Sequence, residues 1–572
     1  MLDVKILRLR FFLFLLLALI LGKLVYLQLI KGDQFYQIAL KQQERYLIVR
    51  GERGKIFDSC GRVFAMDRNI YSIFADPSRV SDKKAAAIKI AAVLDMDFKL
   101  VSERLNKDRM FVWLKRGLEH DKAREYLKEI DLSGIGIKVE RKRVYPHDAL
   151  ASQVLGAVDI DNRGISGLEF HYNDMLEGTE GYRLTLGDGK NLTLNGFTTT
   201  YMPPKNGNTL VLTIDQVLQH YAQEEARQVY EKYKAKRVSI VIMDPHNGEI
   251  LSLVNIPAFN PNRITDADLS NMRNFAISDL FEPGSVLKVI TAAALLDQGL
   301  LRLEDKIYCE NGIYKMGRRI LHDYHAYGDL DFKSVIVYSS NIGVAKSVMK
   351  MDKYEFHEYL RLFGVGEPTG VDLPGESGGI LREPGDWSDY SQVSIAMGQE
   401  VAVNCLHLGK IMSIIANGGY SVEPHIVKEV RDENGFKVKS MTPSKGERVL
   451  SLEAANKMQL LLQEVVESGT GRHAKSSLYS IAGKTGTAQK ANLKDGGYHK
   501  NRYVATFMGF LPVEDPKIVI VVTVDEPQPI HLGGVVSAPA FKNIAEKAML
   551  YLTVSEIKRG VSNAVKQSFV WN

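Results

Sequence analysis

The sequence predicts an α+β fold, in which an antiparallel sheet packs against a cluster of helices. Two β-hairpins are predicted in the later part of the chain, with strands at residues 238–243, 249–255, 503–510 and 517–524. Helical patterns lie between them, including the run 286–296, which is apolar on every face and is followed by Gly299, a residue typical of helix ends. Strands first, helices in the middle and strands last indicate the α+β class.

The length of 572 residues indicates two or three folded units, and the composition is that of a globular protein. Apolar residues make up 45% and charged residues 25%, and a net charge of +5 is too dilute to indicate a nucleic-acid partner. We predict four segments: 1–32, a cytoplasmic tip and transmembrane anchor; 33–207, a loop-rich pedestal or dimerisation-like domain; 208–555, the α+β domain; and 556–572, a C-terminal tail. Residues 33–50 are predicted to begin the pedestal as a polar helical stalk.

Residues 11–30 form the predicted anchor, a run of 20 residues in which Lys23 is the one charge. At ~1.5 Å per residue, a helix of this length spans roughly 30 Å and can cross a bilayer. Lys5, Arg8 and Arg10 precede it, so the positive-inside rule places the N-terminus in the cytoplasm and the bulk outside the cytoplasmic membrane. The alternative, a cleaved signal peptide, would need a small-x-small cleavage site, and none follows the apolar run.

The three cysteines, Cys60, Cys309 and Cys405, are too few and too far apart for a disulfide framework, although one bridge remains possible. None has a partner at metal-ligand spacing, and His322-Asp-Tyr-His325 lacks the Glu of a zinc-peptidase helix. We therefore predict no metal and no cofactor, and interpret these histidines as structural or exposed.

The first candidate for chemistry is the segment Phe281-Glu-Pro-Gly-Ser285-Val-Leu-Lys288. Pro283 and Gly284 break the preceding chain, so Ser285 is predicted at the start of the apolar helix, where free N–H groups favour developing negative charge. Lys288 follows three residues later on the same helix face. A serine nucleophile needs a base, and a lysine can supply it when burial and positive neighbours lower its pKa.

The S-x-x-K pattern alone is weak evidence, because it occurs about twice by chance in a chain of this length. Three further copies occur, at Ser81/Lys84, Ser347/Lys350 and Ser555/Lys558. We interpret these as solvated helix faces. The copy at Ser285 differs from them because it follows Pro-Gly and opens a buried helix.

The second candidate, Ser339-Ser340-Asn341, lies between two predicted helices. A hydroxyl and an amide two residues apart on a loop can both reach into a cleft. Ser339 would relay a proton there, and Asn341 would hydrogen-bond a substrate amide. The alternative, an N-cap for the next helix, is equally compatible with these residues.

The third candidate, Lys484-Thr485-Gly486-Thr487, is predicted on an edge strand. Lys484 and the two threonine hydroxyls would bind a carboxylate, and Gly486 would let a substrate strand approach closely. Taken in isolation, the segment is also compatible with an ordinary turn.

In this order, S-x-x-K, S-x-N and K-T-G resemble the signature of penicillin-binding proteins and class A β-lactamases. Ser340 stands where the common form has Asp, which the S-x-N form of the family allows. The resemblance covers residues 208–552 and extends towards the N-terminus, where Arg53-Gly-Lys-Ile-Phe-Asp58-Ser-Cys-Gly61 is similar to the R-G-x-I-x-D-R-x-G segment of class B enzymes, with Ser59 in place of Arg. Further similar segments are Arg143-Val-Tyr-Pro146, Gly164-Ile-Ser-Gly-Leu-Glu169, Met397-Gly-Gln399 and Gly469-Thr-Gly471.

The resemblance implies a penicillin-binding, serine β-lactamase-like domain that acts as a peptidoglycan DD-transpeptidase. Ser285 would attack the D-Ala-D-Ala carbonyl of a stem peptide, with Lys288 as its base. Ser339 would pass the proton to the leaving D-alanine, Asn341 would hold the acyl chain, and β-lactams would acylate the same serine. Backbone N–H groups of Ser285 and Thr487 would form the oxyanion hole. The implied carboxylate-binding residues are Lys484, Thr485, Gly486 and Thr487.

Four rival classes fit the sequence less well. A class A enzyme needs an E-D-x-x-F motif before Ser285, whereas the near match Glu304-Asp-Lys-Ile-Tyr308 follows it. A β-lactamase needs a base for deacylation, and the nearest E-x-x-L-N segment, Glu400-Val-Ala-Val-Asn404, has Val for Leu. A β-lactam sensor would have several membrane segments, and a catalytically silent scaffold of a cell-wall complex is the remaining alternative.

Within class B, the segments Asp525-Glu-Pro527 and 531–541 resemble division-type enzymes. The resemblance implies work at the septum with a polytopic glycosyltransferase of the shape, elongation, division and sporulation (SEDS) type and other division proteins. An elongation-type transpeptidase is the alternative, because both types share the catalytic motifs.

Overall fold

The computed structural model of the protein describes residues 2–187, 193–264, 266–441, 446–492 and 496–569. The chain forms two compact units. The anchor unit comprises Met1–Glu52 and Glu177–Gly207, and the main unit comprises Arg53–Leu176 and Asn208–Asn572. Most of the segment 33–207 therefore folds with the α+β part of the chain, and the functional division into four segments stays a prediction. Met1 and residues 570–572 of the predicted end segments lie outside the described residues.

The anchor unit begins with the helix Leu2–Val25, which continues as a π-helical turn, Tyr26–Ile30. The stretch Asp3–Ile30 is long and apolar enough to cross a membrane, and none of its apolar window is buried. The predicted helical stalk 33–50 is only half correct. Its helix, Gly32–Gln43, gives way to the strand Glu44–Val49, because the sequence Tyr-Leu-Ile-Val favours extended backbone. This strand pairs antiparallel with Gly181–Gly187, which in turn pairs with Thr193–Met202.

In the main unit, residues before and after the predicted boundary at 207/208 share one sheet. The short strand Ile56–Phe57 pairs in parallel with Thr209–Leu212 and antiparallel with Val63–Ala75. The other strands of this sheet are Val112–Leu118, Ile135–Val144, Val427–Arg431 and Lys437–Ser440. The helices of this region are Pro77–Arg79 (3-10), Lys83–Leu94, Phe98–Leu105, His120–Ile130, Ser152–Leu155, Gly167–His171 and Asn173–Glu177.

A buried network of charges joins three of the segments that resemble class B enzymes. The Glu169 carboxylate accepts hydrogen bonds from the guanidinium Nε atoms of Arg53 and Arg143, each at 2.6 Å. Arg143 also pairs with Asp67 at 3.3 Å, and all four side chains are at most 2% exposed. Because an unpaired buried charge is costly, each member depends on the others, and the network fixes how these distant segments meet.

A five-stranded antiparallel sheet forms the centre of the main unit. Its strands, in spatial order, are Ile250–Ile256, Arg237–Met243, Ile518–Asp525, Tyr498–Leu511 and Ala482–Ala491. Both predicted hairpins are confirmed as neighbouring antiparallel pairs. The strand Ala482–Ala491 is an edge strand, as predicted for the segment that carries Lys484.

Helices cover both faces of this sheet, because side chains alternate between the faces along each strand. Val238, Ile240 and Ile242 pack in the cluster that includes the helices Gln216–Lys232 and Gly533–Phe569. Alternate residues of the same strand pack in the cluster of the remaining helices. This layered arrangement of an antiparallel sheet and helices confirms the α+β class.

The remaining helices are Asp266–Asn271 (3-10), Phe275–Ser278, Gly284–Leu287 (3-10), Lys288–Asp297, Glu310–Gly312 (3-10), Phe332–Val337, Asn341–Val348, Lys353–Leu362, Pro384–Asp386 (3-10), Ser391–Ala396, Cys405–Ala416, Leu452–Glu467 and Arg472–Ala474 (3-10). Two small antiparallel ladders pair Lys306–Tyr308 with Asp329–Asp331 and Ile313–Met316 with Arg319–His322. None of the three cysteines forms a disulfide.

Candidate active site

Ser285 lies in a 3-10 turn, Gly284–Leu287, that leads directly into the helix Lys288–Asp297. Every residue from Lys288 to Leu296 is buried, so the prediction that Ser285 opens a buried helix is confirmed. The preceding Gly284 has a φ of +58°, which favours glycine at this break. The Ser285 side chain lines a cleft of about 520 Å³ together with Asn341 and Thr487.

Lys288 has no exposed surface, and it contacts Asn341, which lines this cleft. Its Nζ atom donates hydrogen bonds to the Ser339 carbonyl oxygen and to Asn341 Oδ1, both at 2.8 Å, and to Ser339 Oγ at 3.3 Å. Burial lowers the pKa of Lys288 to about 7, against the opposing influence of the Asp323 carboxylate. Ser339 and Asn341 of the second motif therefore both hydrogen-bond Lys288 of the first motif. Ser285 Oγ and Lys288 Nζ, which both lie in the described part of the chain, are not hydrogen-bonded to each other.

Lys484 also contacts the hydroxyl of Ser339. Its Nζ atom donates to Ser339 Oγ at 3.0 Å and to the Thr485 carbonyl oxygen at 3.1 Å, and its side chain is also fully buried. Burial, with the charge of Lys288 as a second cause, lowers the pKa of Lys484 well below its usual value. Two ammonium groups that converge on one hydroxyl cannot both stay charged without a large cost, so one lysine is available as a proton acceptor.

The Ser339 backbone is left-handed, with a φ of +60°. Such a conformation is costly for a residue with a side chain and persists where the surroundings impose it. The next residue, Ser340, caps the helix Asn341–Val348 by accepting the Gly343 N–H at 2.9 Å. Ser340 is therefore the N-cap, and Ser339 and Asn341 contact Lys288. The proton relay by Ser339 and the substrate contact by Asn341 stay predictions.

On the edge strand, the two threonine hydroxyls are engaged within the protein. Thr485 Oγ1 lies 2.8 Å from Thr470 Oγ1, and Thr487 Oγ1 accepts the Gly533 N–H at 3.0 Å. Thr470 belongs to the Gly469-Thr-Gly471 segment, and Gly533 is the first residue of the helix Gly533–Phe569. These contacts hold the edge strand in place against that segment and the start of that helix.

A close contact within the protein also favours glycine at position 486, in addition to the predicted approach of a substrate strand. A Cβ atom at this position would lie 2.9 Å from Val286 Cγ1 and 3.1 Å from the Pro283 carbonyl oxygen. The strand therefore packs closely against the turn that carries Ser285. A Cβ on Gly284 would likewise lie 3.2 Å from the Thr487 carbonyl oxygen. The backbones around Ser285 and Thr487 are thus neighbours beside the cleft, and their role as an oxyanion hole stays a prediction.

Sequence reasoning missed Asp323, which it considered only within a rejected zinc motif. Its carboxylate accepts the backbone N–H groups of Asn341 and Ile342, at 2.5 and 3.1 Å, and the Ser340 hydroxyl at 2.6 Å. No local pattern marks this residue, because it reaches the second motif through tertiary folding. It also missed Glu282, which lines the cleft and whose pKa is raised by burial. Its place next to Pro-Gly-Ser285 was the available signal.

Of the other copies of S-x-x-K, the residues whose side chains are described are not among those that line the cleft, and the side chain of Lys558 lies outside the described residues. Ser81 and Lys84 are exposed, as interpreted. The interpretation of Ser347 as part of a solvated face is wrong, because its side chain is buried and its hydroxyl donates to the Gly343 carbonyl oxygen at 2.7 Å. Ser347 sits on the inner face of its helix, a position that the spacing to an exposed Lys350 does not reveal.

Two family models match the chain. Residues 238–546 match the penicillin-binding protein transpeptidase domain, and residues 48–212 match the penicillin-binding protein dimerisation domain. The first match contains all three candidate motifs. The second contains the buried network around Glu169.

Several named proteins are similar to the chain over almost its whole length. Stage V sporulation protein D of Bacillus subtilis is 32% identical over 558 residues, which are 96% of this chain and 85% of that protein. Peptidoglycan D,D-transpeptidase FtsI of Escherichia coli is 30% identical over 540 residues, 92% of this chain and 88% of that protein. The crystal structure of penicillin-binding protein 3 from Mycobacterium tuberculosis with aztreonam superposes with a TM-score of 0.71 at 27% identity, covering 89% of this chain and 98% of that one.

The transpeptidase model spans more than half of the chain, and relatives at least 30% identical cover more than nine-tenths of it. The chain therefore belongs to the class B penicillin-binding proteins, the peptidoglycan D,D-transpeptidases in which a dimerisation domain precedes the transpeptidase domain.

Proposed function

We propose that Ser285 is the nucleophile through which this transpeptidase forms an acyl-enzyme with the D-Ala-D-Ala end of a stem peptide. Ser285 Oγ attacks the carbonyl carbon of the penultimate D-alanine, and its proton passes to the amine of Lys288. The peptide bond then breaks, and the terminal D-alanine leaves after its nitrogen takes a proton through Ser339. An amine of a second stem peptide attacks the resulting ester, which forms the cross-link and returns the proton to Ser285 Oγ.

The observation that carries this proposal is the meeting of two buried lysines at one serine hydroxyl. Lys288 and Lys484 donate to Ser339 Oγ at 3.3 and 3.0 Å. A chain of amine, hydroxyl and amine can move a proton without exposing it to water. General-base assistance of this kind is typically worth roughly 10²–10⁴-fold in rate.

The proposed substrate-binding residues are Asn341 and the edge-strand segment that begins at Lys484. Asn341 holds the acyl chain of the donor through the second N–H of its side-chain amide, whose first N–H donates to the His322 carbonyl oxygen. The terminal carboxylate is received by the segment Lys484, Thr485, Gly486 and Thr487, of which Thr487 lines the cleft. The N–H groups of Ser285 and Thr487 stabilise the oxyanion, an interaction whose loss costs about 10²–10³-fold in related acyl transfers. Neighbouring backbones around Gly284 and Thr487 support this pairing.

Glu400 is the candidate deacylation base in the rival β-lactamase interpretation, and its carboxylate is already engaged by other side chains. The Glu400 carboxylate pairs with Arg382, accepts the Ser391 hydroxyl at 2.8 Å and lies 3.7 Å from Arg319. A carboxylate so engaged is a poor acceptor for a proton from water. This favours a persistent acyl-enzyme and therefore transpeptidation over hydrolysis of β-lactams.

The acylation rate is expected to rise with pH up to about 7 and then to level off. A protonated Lys288 cannot accept the Ser285 proton, and burial places its pKa at about 7. Below that value the unprotonated fraction, and with it the rate, falls about tenfold per pH unit. Stopped-flow acylation by a chromogenic cephalosporin between pH 5 and 9 measures this profile. A rate that stays flat down to pH 5 would contradict the role of Lys288.

We propose that the helix Leu2–Val25 and its continuation cross the cytoplasmic membrane once, with the transpeptidase domain outside. The basic residues before the apolar span support this orientation. Alkaline phosphatase fused to the C-terminus is expected to be active in cells, and inactive when residues 11–30 are deleted. An inactive phosphatase fusion, together with a fluorescent C-terminal green fluorescent protein fusion, would show that the C-terminus lies in the cytoplasm and would contradict this orientation.

We further propose that the enzyme works at the division septum, with a polytopic SEDS-type glycosyltransferase and other division proteins as partners. The 531–541 segment and the similarity to FtsI support this role. Depleting the protein is expected to produce filaments, rescued by the wild-type gene but not by a Ser285→Ala copy. Swollen round cells would assign it to elongation. Normal growth would favour a specialised role, consistent with the similarity to a sporulation protein.

A further inference from the structure

Asp323 directly follows the short strand Arg319–His322 and contacts the second motif through both carboxylate oxygens. One oxygen accepts the N–H groups of Asn341 and Ile342 at 2.5 and 3.1 Å, and the other accepts the Ser340 hydroxyl at 2.6 Å. Three donors from three consecutive residues thus meet one carboxylate. Charged hydrogen bonds of this kind are among the stronger ones in proteins.

The same turn also holds the side chain of Asn341. Its Nδ2 atom donates to the His322 carbonyl oxygen at 2.9 Å, while its Oδ1 atom accepts Lys288 Nζ at 2.8 Å. The main chain of Asn341 is bound by Asp323, and both ends of its amide are bound by His322 and Lys288. Its rotamer is therefore fixed by residues outside the motif.

The segment needs such support, because Ser339 carries a left-handed backbone with a φ of +60°. Three hydrogen bonds to Asp323 on the residues that follow hold the chain in this conformation. In it, the Ser339 carbonyl and hydroxyl oxygens both face Lys288. A chain that relaxed at Ser339 would withdraw both oxygens from the lysine.

We propose that Asp323 is a positioning residue of the active site, which holds Ser339 and Asn341 in register with Lys288 and places a negative charge near Lys288. The proposal rests on the proposed function of Ser285 and Lys288. Asp323 touches neither substrate nor the reacting atoms. It acts through the segment that it binds and through its charge.

The charge of Asp323 distinguishes this role from simple helix capping. A nearby carboxylate stabilises protonated Lys288 and so raises its pKa against the effect of burial. The other titratable groups that face this cluster are Lys484, whose own pKa is lowered by burial and by the charge of Lys288, and Cys309 and Tyr327, whose pKa values are raised by burial and by Asp323. Removing the Asp323 charge therefore lowers the pKa of Lys288 and extends the reactive form to lower pH.

The test measures acylation of the full-length protein in detergent by benzylpenicillin as a function of pH. Asp323→Ala is expected to acylate about 10–100-fold more slowly at pH 8, since misplacement by about 1 Å can cost 10²-fold. Asp323→Asn keeps an acceptor oxygen for the backbone N–H groups and is expected to lose less rate. In both variants the acid limb of the profile is expected to move to lower pH.

Asp331→Ala is the matched control. Asp331 caps the preceding helix Phe332–Val337 by accepting the Ser334 N–H at 2.8 Å. Its loss is expected to change the acylation rate less than about threefold and to leave the acid limb in place. Ser340→Ala removes the hydroxyl that donates to Asp323 and accepts the Gly343 N–H, without changing charge. It is expected to slow acylation without moving the acid limb of the pH profile.

If both Asp323 variants acylate at the wild-type rate and the acid limb of their pH profile does not move, the inference is overturned. The proposed roles of Ser285 and Lys288 would then still stand. Slower acylation with an unmoved limb would reduce Asp323 to a helix cap and would also overturn it. If Asp323→Ala shows no cooperative thermal unfolding, Asp323→Asn decides the question alone. If the wild-type protein forms no adduct, the proposed function fails and this inference fails with it.

Discussion

Ser285→Ala is expected to abolish acylation by benzylpenicillin completely. The acyl-enzyme is an ester to Ser285 Oγ. Among the residues that line the cleft, Ser285 is the serine that lies in the turn leading into the buried helix Lys288–Asp297. Ser339 cannot replace it, because its hydroxyl is held between two lysines. Intact-mass spectrometry of the purified protein after incubation with benzylpenicillin measures the loss, and peptide mapping locates the label in the wild type.

The other copies of the S-x-x-K pattern supply matched controls for this experiment. Ser81→Ala, Ser347→Ala and Ser555→Ala each remove a serine that precedes a lysine by three residues. All three are expected to label as the wild type does. Ser347→Ala is the strictest of them, because that hydroxyl is buried and hydrogen-bonded yet lies outside the cleft. Retained labelling of Ser285→Ala would show that another residue is the nucleophile.

Lys288→Ala is expected to slow acylation by roughly 10²–10⁴-fold without unfolding the protein, because it removes the general base. Lys288 is also an amine buried without a carboxylate among its hydrogen-bond partners. Its removal therefore takes away a burial cost as well as three hydrogen bonds, and the thermal midpoint is expected to change little. Single-turnover acylation kinetics and a thermal melt measure the two effects separately.

Lys350→Ala is the control for Lys288→Ala, since Lys350 is exposed and follows Ser347 at the same spacing. It is expected to acylate at the wild-type rate. A Lys288→Ala protein that acylates within about threefold of the wild type would transfer the role of base to Lys484. Loss of cooperative unfolding in Lys288→Ala would show instead that the lysine is required for folding.

Much of the fold was predictable because its central elements carry strong local patterns. The hairpins around residues 245–248 and 511–516 follow from β-rich runs that flank turn residues, and both appear as antiparallel pairs. The helix after Ser285 follows from its apolar run and from the break at Pro-Gly. The stalk was half wrong, because the strand Glu44–Val49 is stabilised by pairing with Gly181–Gly187, which is far away in sequence.

The candidate site was predictable only where spacing along the chain carries information. Lys288 is placed by its helical spacing from Ser285, whereas Asp323 reaches Ser340 and Asn341 only through tertiary folding. The pairing of Ile56–Phe57 with Thr209–Leu212, which brings residues 53–176 into the main unit, is likewise non-local. Gly486 shows a third limit, since sequence indicates that close approach is needed there but not that Val286 is the neighbour.

The lifetime of the acyl-enzyme tests the central claim most directly. The chain supplies Ser285, two buried lysines and a relay hydroxyl for acylation, while the Glu400 carboxylate is engaged by Arg382 and Ser391. Purified full-length protein is incubated with excess benzylpenicillin, the free drug is removed, and intact mass is followed over hours. We expect one stable penicilloyl adduct, mapped to the peptide that contains Ser285. Rapid turnover of the drug, with no adduct surviving beyond minutes, would make the protein a β-lactamase and contradict the account.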